Sequence, residues 1–215
     1  MAARRKNDNG GAPRVNRYSV APFIQQYYSE YYTIETYPVE QSVAFDTIDG
    51  EWGILGNFAH TSLEVNGVTF PTSEHLFQTM KFKDEDVVKR VYQAISLKGN
   101  KANVKMAAKS YETVDKRRSD WGSMIVDVMK FCLQTKYDQI DEFRAELERT
   151  KGLYIVEEQT SRRKGRGADT WGVVMRDGVY VGPNLMGRLL MELRDNGKLE
   201  YKLPEDALDF IEYLK

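Results

Sequence analysis

One eight-residue stretch, residues 63–70, constrains the fold more than any other. It reads Leu-Glu-Val-Asn-Gly-Val-Thr-Phe, with an alternating run on each side of Asn66-Gly67. Asn-Gly supplies the two positive-φ residues of a type I′ turn, so the stretch predicts a β-hairpin. After Pro71 the apolar spacing becomes helical, and Thr72 or Ser73 can cap that helix. The chain must therefore combine short antiparallel strands with helices.

The remaining periodicity assigns the fold class. Apolar runs predict strands at 44–48, 153–156, 171–175 and 179–181, and a continuous apolar stripe over 121–132 predicts a long helix. Strands and helices do not alternate regularly, so the class is α+β. We expect a single compact, mainly helical domain with a small β-sheet and hairpins.

The two ends of the chain differ from its centre. Residues 1–16 hold four cations and little to bury, which predicts a flexible basic tail. Residues 17–49 form an N-terminal extension of one aromatic helix and a strand. Its tyrosine pairs recur every four residues, which favours docking on the domain over a stacking platform for bases. The central domain spans 50–196, and 197–215 predicts an acidic C-terminal helix beginning near Pro204.

Composition excludes several classes of protein. The 31 basic and 32 acidic side chains of the 215 residues give a net charge of −1, which argues against indiscriminate coating of nucleic acid. Cys132 is the single cysteine and there are two histidines, so an internal disulfide is excluded and a metal site is not expected. No apolar run approaches the roughly 18 residues of a membrane span. We expect a cytoplasmic protein without a cofactor.

The segment 70–82 carries the first candidate constellation. At about 100° per residue, Glu74, Gln78 and Lys81 share one helical face, while Phe77 and its apolar neighbours point largely away. An ionised carboxylate there suits activation of water or stabilisation of a sugar cation. The alternative is a capping glutamate followed by an exposed lysine.

Three further segments contain residues suited to binding a phosphate or a base. Residues 161–172 place four cations within five residues, before Asp169 and Trp171, in a loop suited to phosphate oxygens. Residues 117–121 end at Trp121, which either opens the core stripe of a helix or stacks on a base. In 182–194, Asn184 can cap a helix, and Gly187 permits close approach of another helix or of a ligand phosphate.

Taken in order, these segments resemble the NADAR superfamily over roughly residues 50–195. The matching motifs are Leu55-Gly56-Asn57-Phe58, Phe70-Pro71-Thr72-Ser73-Glu74-His75 with Phe77-Gln78 and Lys81-Phe82, Arg118-Ser119-Asp120-Trp121, Asp169-Thr170-Trp171-Gly172, and Asn184-Leu185-Met186-Gly187 with Leu190-Met191 and Arg194. At Gly56 the family commonly has serine, so a hydroxyl contact is not carried over there. The resemblance implies the NADAR fold and an N-glycosidase that releases ribose from a nitrogen of a base.

The resemblance also implies roles for single residues. Glu74 would stabilise the ribosyl cation or orient water, and Lys81 would anchor a phosphate or form a Schiff base with the opened sugar. Asp169 would hold ribose hydroxyls or act as a second carboxylate. Phe58 and Trp121 would sandwich the base. The other motif positions implied to bind substrate are Asn57, Gln78, Arg118, Trp171, Gly172, Asn184 and Gly187, and the phosphate or DNA contacts fall on Asn184, Arg162, Arg163, Lys164 and Arg166.

Two branches of the family imply two substrates. One branch removes ADP-ribose from guanine in DNA as the antitoxin of a DarT-type transferase, and the other hydrolyses phosphorylated riboflavin-pathway intermediates. The basic loop beside Asp169, the cationic tail and the extra aromatic helix favour ADP-ribosylated guanine over a ribosylaminopyrimidine phosphate. A non-catalytic ADP-ribose-binding module is the third alternative.

Overall fold

The computed structural model describes residues 21–94, 103–112, 116–164 and 166–215, and the predicted tail at 1–16 lies outside this set. The helices are α1 Pro22–Tyr27, α2 Ser73–Thr79, α3 Glu85–Gln93, α4 Asn103–Glu112, α5 Trp121–Gln139, α6 Asp141–Arg149, α7 Thr160–Arg163 and α8 Leu185–Asn196. The strands are β1 Glu35–Pro38, β2 Ser42–Phe45, β3 Leu63–Val65, β4 Val68–Phe70, β5 Tyr154–Glu157, β6 Val174–Arg176 and β7 Val179–Gly182. None of these helices is long and apolar enough to span a bilayer.

The strands pair in small separate sheets. Within the described residues, β1, β7 and β6 form an antiparallel sheet, β2 pairs with β5 in parallel, and β3 pairs with β4. The β3–β4 hairpin confirms the sequence prediction, because Asn66 and Gly67 have φ angles of 50° and 84°. The α+β class is confirmed as well. Strand β1 was not predicted, since it is short and contains a proline.

Helix α5 is the central element of the core. It buries Trp121, Met129 and Cys132 along the predicted stripe, and it contacts α1, α2, α6 and α8. The docking prediction for α1 is confirmed: Ile24 is fully buried and the Tyr28 hydroxyl donates to the Ser123 carbonyl at 2.6 Å. The aromatic helix therefore packs against the core of the protein.

The C-terminal segment departs from the predicted helix. Residues 205–208 form turns, and Asp209–Leu214 is a 3-10 helix whose Phe210 and Ile211 are buried. Asp206, inside the turns, forms ion pairs with Lys83 at 2.5 Å and Arg118 at 2.7 Å. These ion pairs fix the chain where a first helical turn was expected.

Candidate active site

Helix α2 places a carboxylate and an amide side by side in the interior. Thr72 caps the helix by accepting the His75 N–H at 3.1 Å. The Gln78 amide donates from Nε2 to Glu74 Oε1 at 2.7 Å, so these two side chains share a face as predicted. Every residue of α2 is buried, and Glu74 is 6% exposed. Gln78 Oε1 is buried without a hydrogen-bond partner among the described residues.

Asn57 fixes the first turn of α2. Its carbonyl accepts the Glu74 N–H at 3.0 Å, and both its carbonyl and Oδ1 accept from the Ser73 hydroxyl at 3.2 Å. Its amide Nδ2 donates to Met129 Sδ at 3.1 Å. All polar atoms of this buried asparagine side chain therefore have protein partners, and Asn57 orients Glu74 through the backbone.

Lys81 lies just beyond the end of α2 and points back over the aromatic side chains. Its Nζ is 2.7 Å from Glu112 Oε1 and lies 5.5 Å from the Phe77 ring centroid and 5.7 Å from that of Trp121. Burial lowers the pKa of the Lys81 ammonium, an effect that the carboxylates of Glu112 and Glu74 oppose. The alternative of an exposed lysine is wrong, because this side chain is 11% exposed.

The aromatic side chains cluster around Phe77. Its ring centroid is 5.3 Å from that of Trp121 and 5.9 Å from that of Trp171, with both contacts edge-on. The prediction that Phe77 points away from Lys81 is wrong, because residues four apart lie about 40° apart on a helix and the Lys81 Nζ lies 5.5 Å from the Phe77 ring centroid. Trp121 is 2% exposed, whereas Trp171 is partly exposed. Trp171 is thus better placed than Trp121 to offer a ring face to a ligand.

Phe58 and Asp169 are not fully engaged by other groups of the protein. Phe58 is partly buried and packs against the main core. The Asp169 carboxylate accepts at Oδ1 from Gln159 Nε2 at 2.7 Å and from the Trp171 N–H at 3.0 Å. Its Oδ2 lies 4.0 Å from an Arg163 nitrogen. Asp169 therefore shapes the turn that carries Trp171, with one oxygen not held by a short contact.

Glu157, which the motifs did not single out, ends strand β5 near this turn. Arg162 Nη2 lies 3.1 Å from its carboxylate, which is 18% exposed. Burial raises the pKa of Glu157, and the Asp169 carboxylate acts in the same direction. The Lys105 ammonium of α4 acts electrostatically on both Glu157 and Lys81. An acidic residue directly after the apolar residues 155–156 is the sequence signal that would have identified it.

Three predicted ligand positions instead serve contacts with β5: Asn184 and Gly187 at the start of α8, and Gly172 just before β6. Asn184 is fully buried and takes φ 51°. Its Oδ1 accepts from the Glu157 N–H at 3.2 Å, and its Nδ2 donates to the Ile155 carbonyl at 2.9 Å. It makes no side-chain cap, which corrects the capping prediction. A Cβ on Gly172 would lie 2.3 Å from the Glu157 carbonyl, and one on Gly187 would lie 2.0 Å from that of Ile155. These glycines permit close approach of the backbone to β5 rather than to a phosphate.

Arg118 is likewise occupied by protein groups. It is 6% exposed, donates to both Asp120 oxygens at 2.6 and 2.8 Å, and reaches Asp206 at 2.7 Å. These contacts satisfy its charge. They also tie the start of α5 to the C-terminal segment, so the predicted substrate contact gives way to a structural one.

The basic loop separates into inner and outer cations. Arg162 pairs with Glu157, and Arg163 donates from Nε to the Gly167 carbonyl at 2.8 Å. Lys164 and Arg166 are exposed, and Lys164 takes φ 46° at the end of α7. A short helix thus replaces part of the predicted flexible loop, and the exposed Lys164 and Arg166 follow it, between Glu157 and Asp169 in the chain.

A cavity lies elsewhere in the described structure. It measures about 300 Å³ and is lined by Tyr137, Arg144, Ala145, Leu147, Glu148 and Arg194. Arg194 donates there to the carbonyls of Thr150 and Leu153 at 2.9 and 2.8 Å, so its charge is already bound. No predicted catalytic residue lines this cavity.

Comparison with known proteins identifies the family of this chain. The NADAR domain model matches residues 26–196. The N-glycosidase YbiA of Escherichia coli is 31% identical over 74% of this chain and 89% of its own length, and a riboflavin biosynthesis protein of Vibrio vulnificus is 28% identical over 87% of this chain and 47% of its own. The NMR structure of the E. coli protein YbiA superposes with a TM-score of 0.57 at 31% identity, covering 77% of this chain and 91% of that one. The chain belongs to the NADAR family.

Proposed function

We propose that this protein is an N-glycosidase that hydrolyses the bond between ADP-ribose and a guanine base in DNA. The observation that carries the proposal is a buried carboxylate, Glu74, that acts electrostatically on the mostly buried ammonium of Lys81, which lies beside the rings of Phe77 and Trp121. The N-glycosidase names of the YbiA relatives support the reaction class.

The chemistry follows from the charge that develops on the sugar. When the C1′–N bond breaks, its electron pair goes to the base and positive charge develops at C1′. The Glu74 carboxylate, oriented by Asn57 and Gln78, stabilises that charge or accepts a proton from the attacking water. Water supplies the hydroxyl to C1′, and the leaving nitrogen takes up a proton. Glu157, whose pKa is raised by burial, is the candidate donor of that proton.

Lys81 supports a second, covalent route to the same products. When the ribose ring opens, the C1′–O4′ bond breaks and O4′ takes up the proton of the glycosidic nitrogen, which leaves a C1′=N imine. The neutral amine of Lys81 adds to C1′, its protons pass to the base nitrogen, and the C1′–N bond to the base breaks, so that the sugar stays on Lys81 as a Schiff base. Burial lowers the pKa of Lys81, so a larger fraction of this amine is neutral at a given pH. Hydrolysis of the Schiff base then returns the lysine and the free sugar.

The cations around the site favour a polyanionic substrate. The Lys105 ammonium of α4 acts electrostatically on both Lys81 and Glu157. Lys164 and Arg166 are exposed in the segment between Glu157 and Asp169. A pyrophosphate or a DNA backbone offers more anionic groups to such an arrangement than a single phosphate does. A DarT-type toxin that attaches ADP-ribose to DNA is the partner this proposal implies.

Phosphorylated riboflavin-pathway intermediates are the second candidate, favoured by the similarity to the Vibrio vulnificus riboflavin biosynthesis protein. Turnover of ADP-ribosylated DNA and of a ribosylaminopyrimidine phosphate by the same preparation separates the two. We expect faster turnover of the modified DNA. Exclusive activity on the pyrimidine phosphate would overturn the choice of substrate while leaving the N-glycosidase class intact.

A non-catalytic ADP-ribose-binding role is tested in cells that express a DarT-type toxin. We expect the wild-type chain to protect these cells and the Glu74→Gln variant to fail, because the variant retains the fold but loses the carboxylate. Full protection by Glu74→Gln would show that protection depends on binding alone.

A further inference from the structure

Lys136 of α5 is a lysine buried in the core without a carboxylate partner among the described residues. It is 0% exposed, and its Nζ donates to the carbonyls of Ile54 at 2.5 Å and Gly56 at 3.0 Å. The same nitrogen lies 4.5 Å from the Phe143 ring centroid. Burial lowers the pKa of Lys136 to about 7, and no other group contributes to this shift. Such a group costs stability relative to an aliphatic side chain, which indicates a task beyond filling the core.

The two carbonyls belong to the turn that leads into Asn57. The turn is a 3-10 helix over Gly53–Leu55, and Asn57 follows directly after Gly56. The Asn57 carbonyl then accepts the Glu74 N–H at 3.0 Å. Hydrogen bonds and the short backbone segment 54–57 therefore connect the Lys136 ammonium to the first turn of α2.

A second contact joins the same two elements. Asn57 Nδ2 donates to Met129 Sδ, two helical turns before Lys136 on α5. The segment 54–57 is thus held to α5 at both of its ends. Its own carbonyl and side chain hold Ser73 and Glu74 at the start of α2.

We propose that Lys136 is a positioning residue for Glu74: by holding the carbonyls of Ile54 and Gly56 it fixes Asn57, and Asn57 fixes the carboxylate-bearing turn of α2. Lys136 does not touch the substrate. Its removal changes the orientation of Glu74 and leaves the groups that bind substrate in place.

The matched variants are Lys136→Met and Lys130→Met, which each remove one ammonium from α5. Lys130 pairs with Glu192 and donates to the Glu200 carbonyl, away from the 54–57 segment. In Lys136→Met we expect kcat to fall about tenfold or more, since small misplacements of catalytic groups cost up to about a hundredfold, with KM within about twofold. We expect Lys130→Met to keep kcat within about twofold.

Amide hydrogen exchange gives a readout that needs no substrate. In Lys136→Met we expect exchange of the Glu74 N–H to accelerate about tenfold. The Val88 N–H, which donates to the Asp84 carbonyl at 2.9 Å in neighbouring α3, should keep its rate. Equal acceleration at both amides, or an unchanged Glu74 rate, overturns the proposal.

The kinetic arm rests on the proposed N-glycosidase function and the exchange arm does not, so an inactive wild type contradicts the function alone. Lys136→Gln is a second variant that keeps one amide donor at the same place and covers the case in which Lys136→Met fails to fold. We expect the Glu74 N–H of this variant to exchange at a rate between those of wild type and Lys136→Met. If the Met variant does not fold, the Gln variant is compared with wild type alone, and we expect its rate to lie close to that of wild type. Glu74 and Val88 amides that both exchange freely in the Gln variant overturn the proposal.

Discussion

Lys81 and Lys136, two lysines whose side chains the described structure largely encloses, have different surroundings. Lys81 faces the Glu112 carboxylate and two aromatic rings, and its side chain keeps 11% exposure. Lys136 faces only backbone carbonyls and one ring, and it is fully enclosed. Burial lowers the pKa of both. The difference shows that a perturbed lysine is a candidate for covalent chemistry only where a substrate can reach it.

The largest effect is expected at Glu74, which belongs to the region around Lys81. Glu74→Gln keeps the shape of the side chain and removes its charge, so we expect kcat to fall about a thousandfold with little change in KM. Glu64→Gln, an exposed acid in β3, is the control and should retain full activity. A Glu74→Gln variant within about tenfold of wild type contradicts the assignment.

The next effect separates the two lysines directly. Lys81→Met should lower kcat about a hundredfold and abolish any adduct trapped by borohydride, because the amine is lost from the site. Lys136→Met should retain the trapped adduct. The measurement is mass spectrometry of the trapped protein, and an adduct on Lys136 would remove the distinction between the two lysines.

A smaller effect is expected at Glu157. Glu157→Gln removes the proton donor that burial favours, so we expect kcat to fall about tenfold and the activity to lose its decline on the alkaline side. The pH profile of kcat is the measurement. Glu158→Gln, at the acid directly after β5, is the control, and an equal loss in both variants would assign the effect to this segment as a whole.

The smallest expected effect is on stability. The folded pKa of Lys136 is about 7 against 10.5 for an ordinary lysine, so between these values the unfolded chain binds more protons than the folded one. The free energy of unfolding should therefore rise with pH above 7, by at most about 1.4 kcal/mol per pH unit from this group. Lys136→Met should lack this rise in denaturant titrations at pH 7 and pH 9, and Lys130→Met should retain it.

Local patterns predicted the local structure well. Asn66-Gly67 gave the hairpin, the stripe after Trp121 gave α5, and the i, i+4 spacing paired Glu74 with Gln78. These features depend on neighbours within a few residues, which periodicity describes.

Contacts between distant segments were beyond these patterns. The side chain of Asn184 is satisfied by groups 27 and 29 residues away, so its role in the fold could not be read from its own motif. Arg118 pairs with Asp120 inside its motif, but its contact with Asp206, 88 residues away, was equally out of reach. The parallel pairing of β2 with β5, which places Glu157 opposite Phe45, is non-local in the same way. Lys136 looked like any lysine on a helix, because only the fold encloses it.

The central claim is that this site cleaves the C1′–N bond of an ADP-ribosylated base. The most direct measurement is turnover of ADP-ribosylated DNA in water enriched in oxygen-18, with mass analysis of the products. We predict that the wild-type protein restores unmodified guanine in the DNA and releases ADP-ribose with a single labelled oxygen on C1 of its ribose. Glu74→Gln should form neither product. Label on phosphorus, or an intact C1′–N bond after wild-type treatment, would contradict the account.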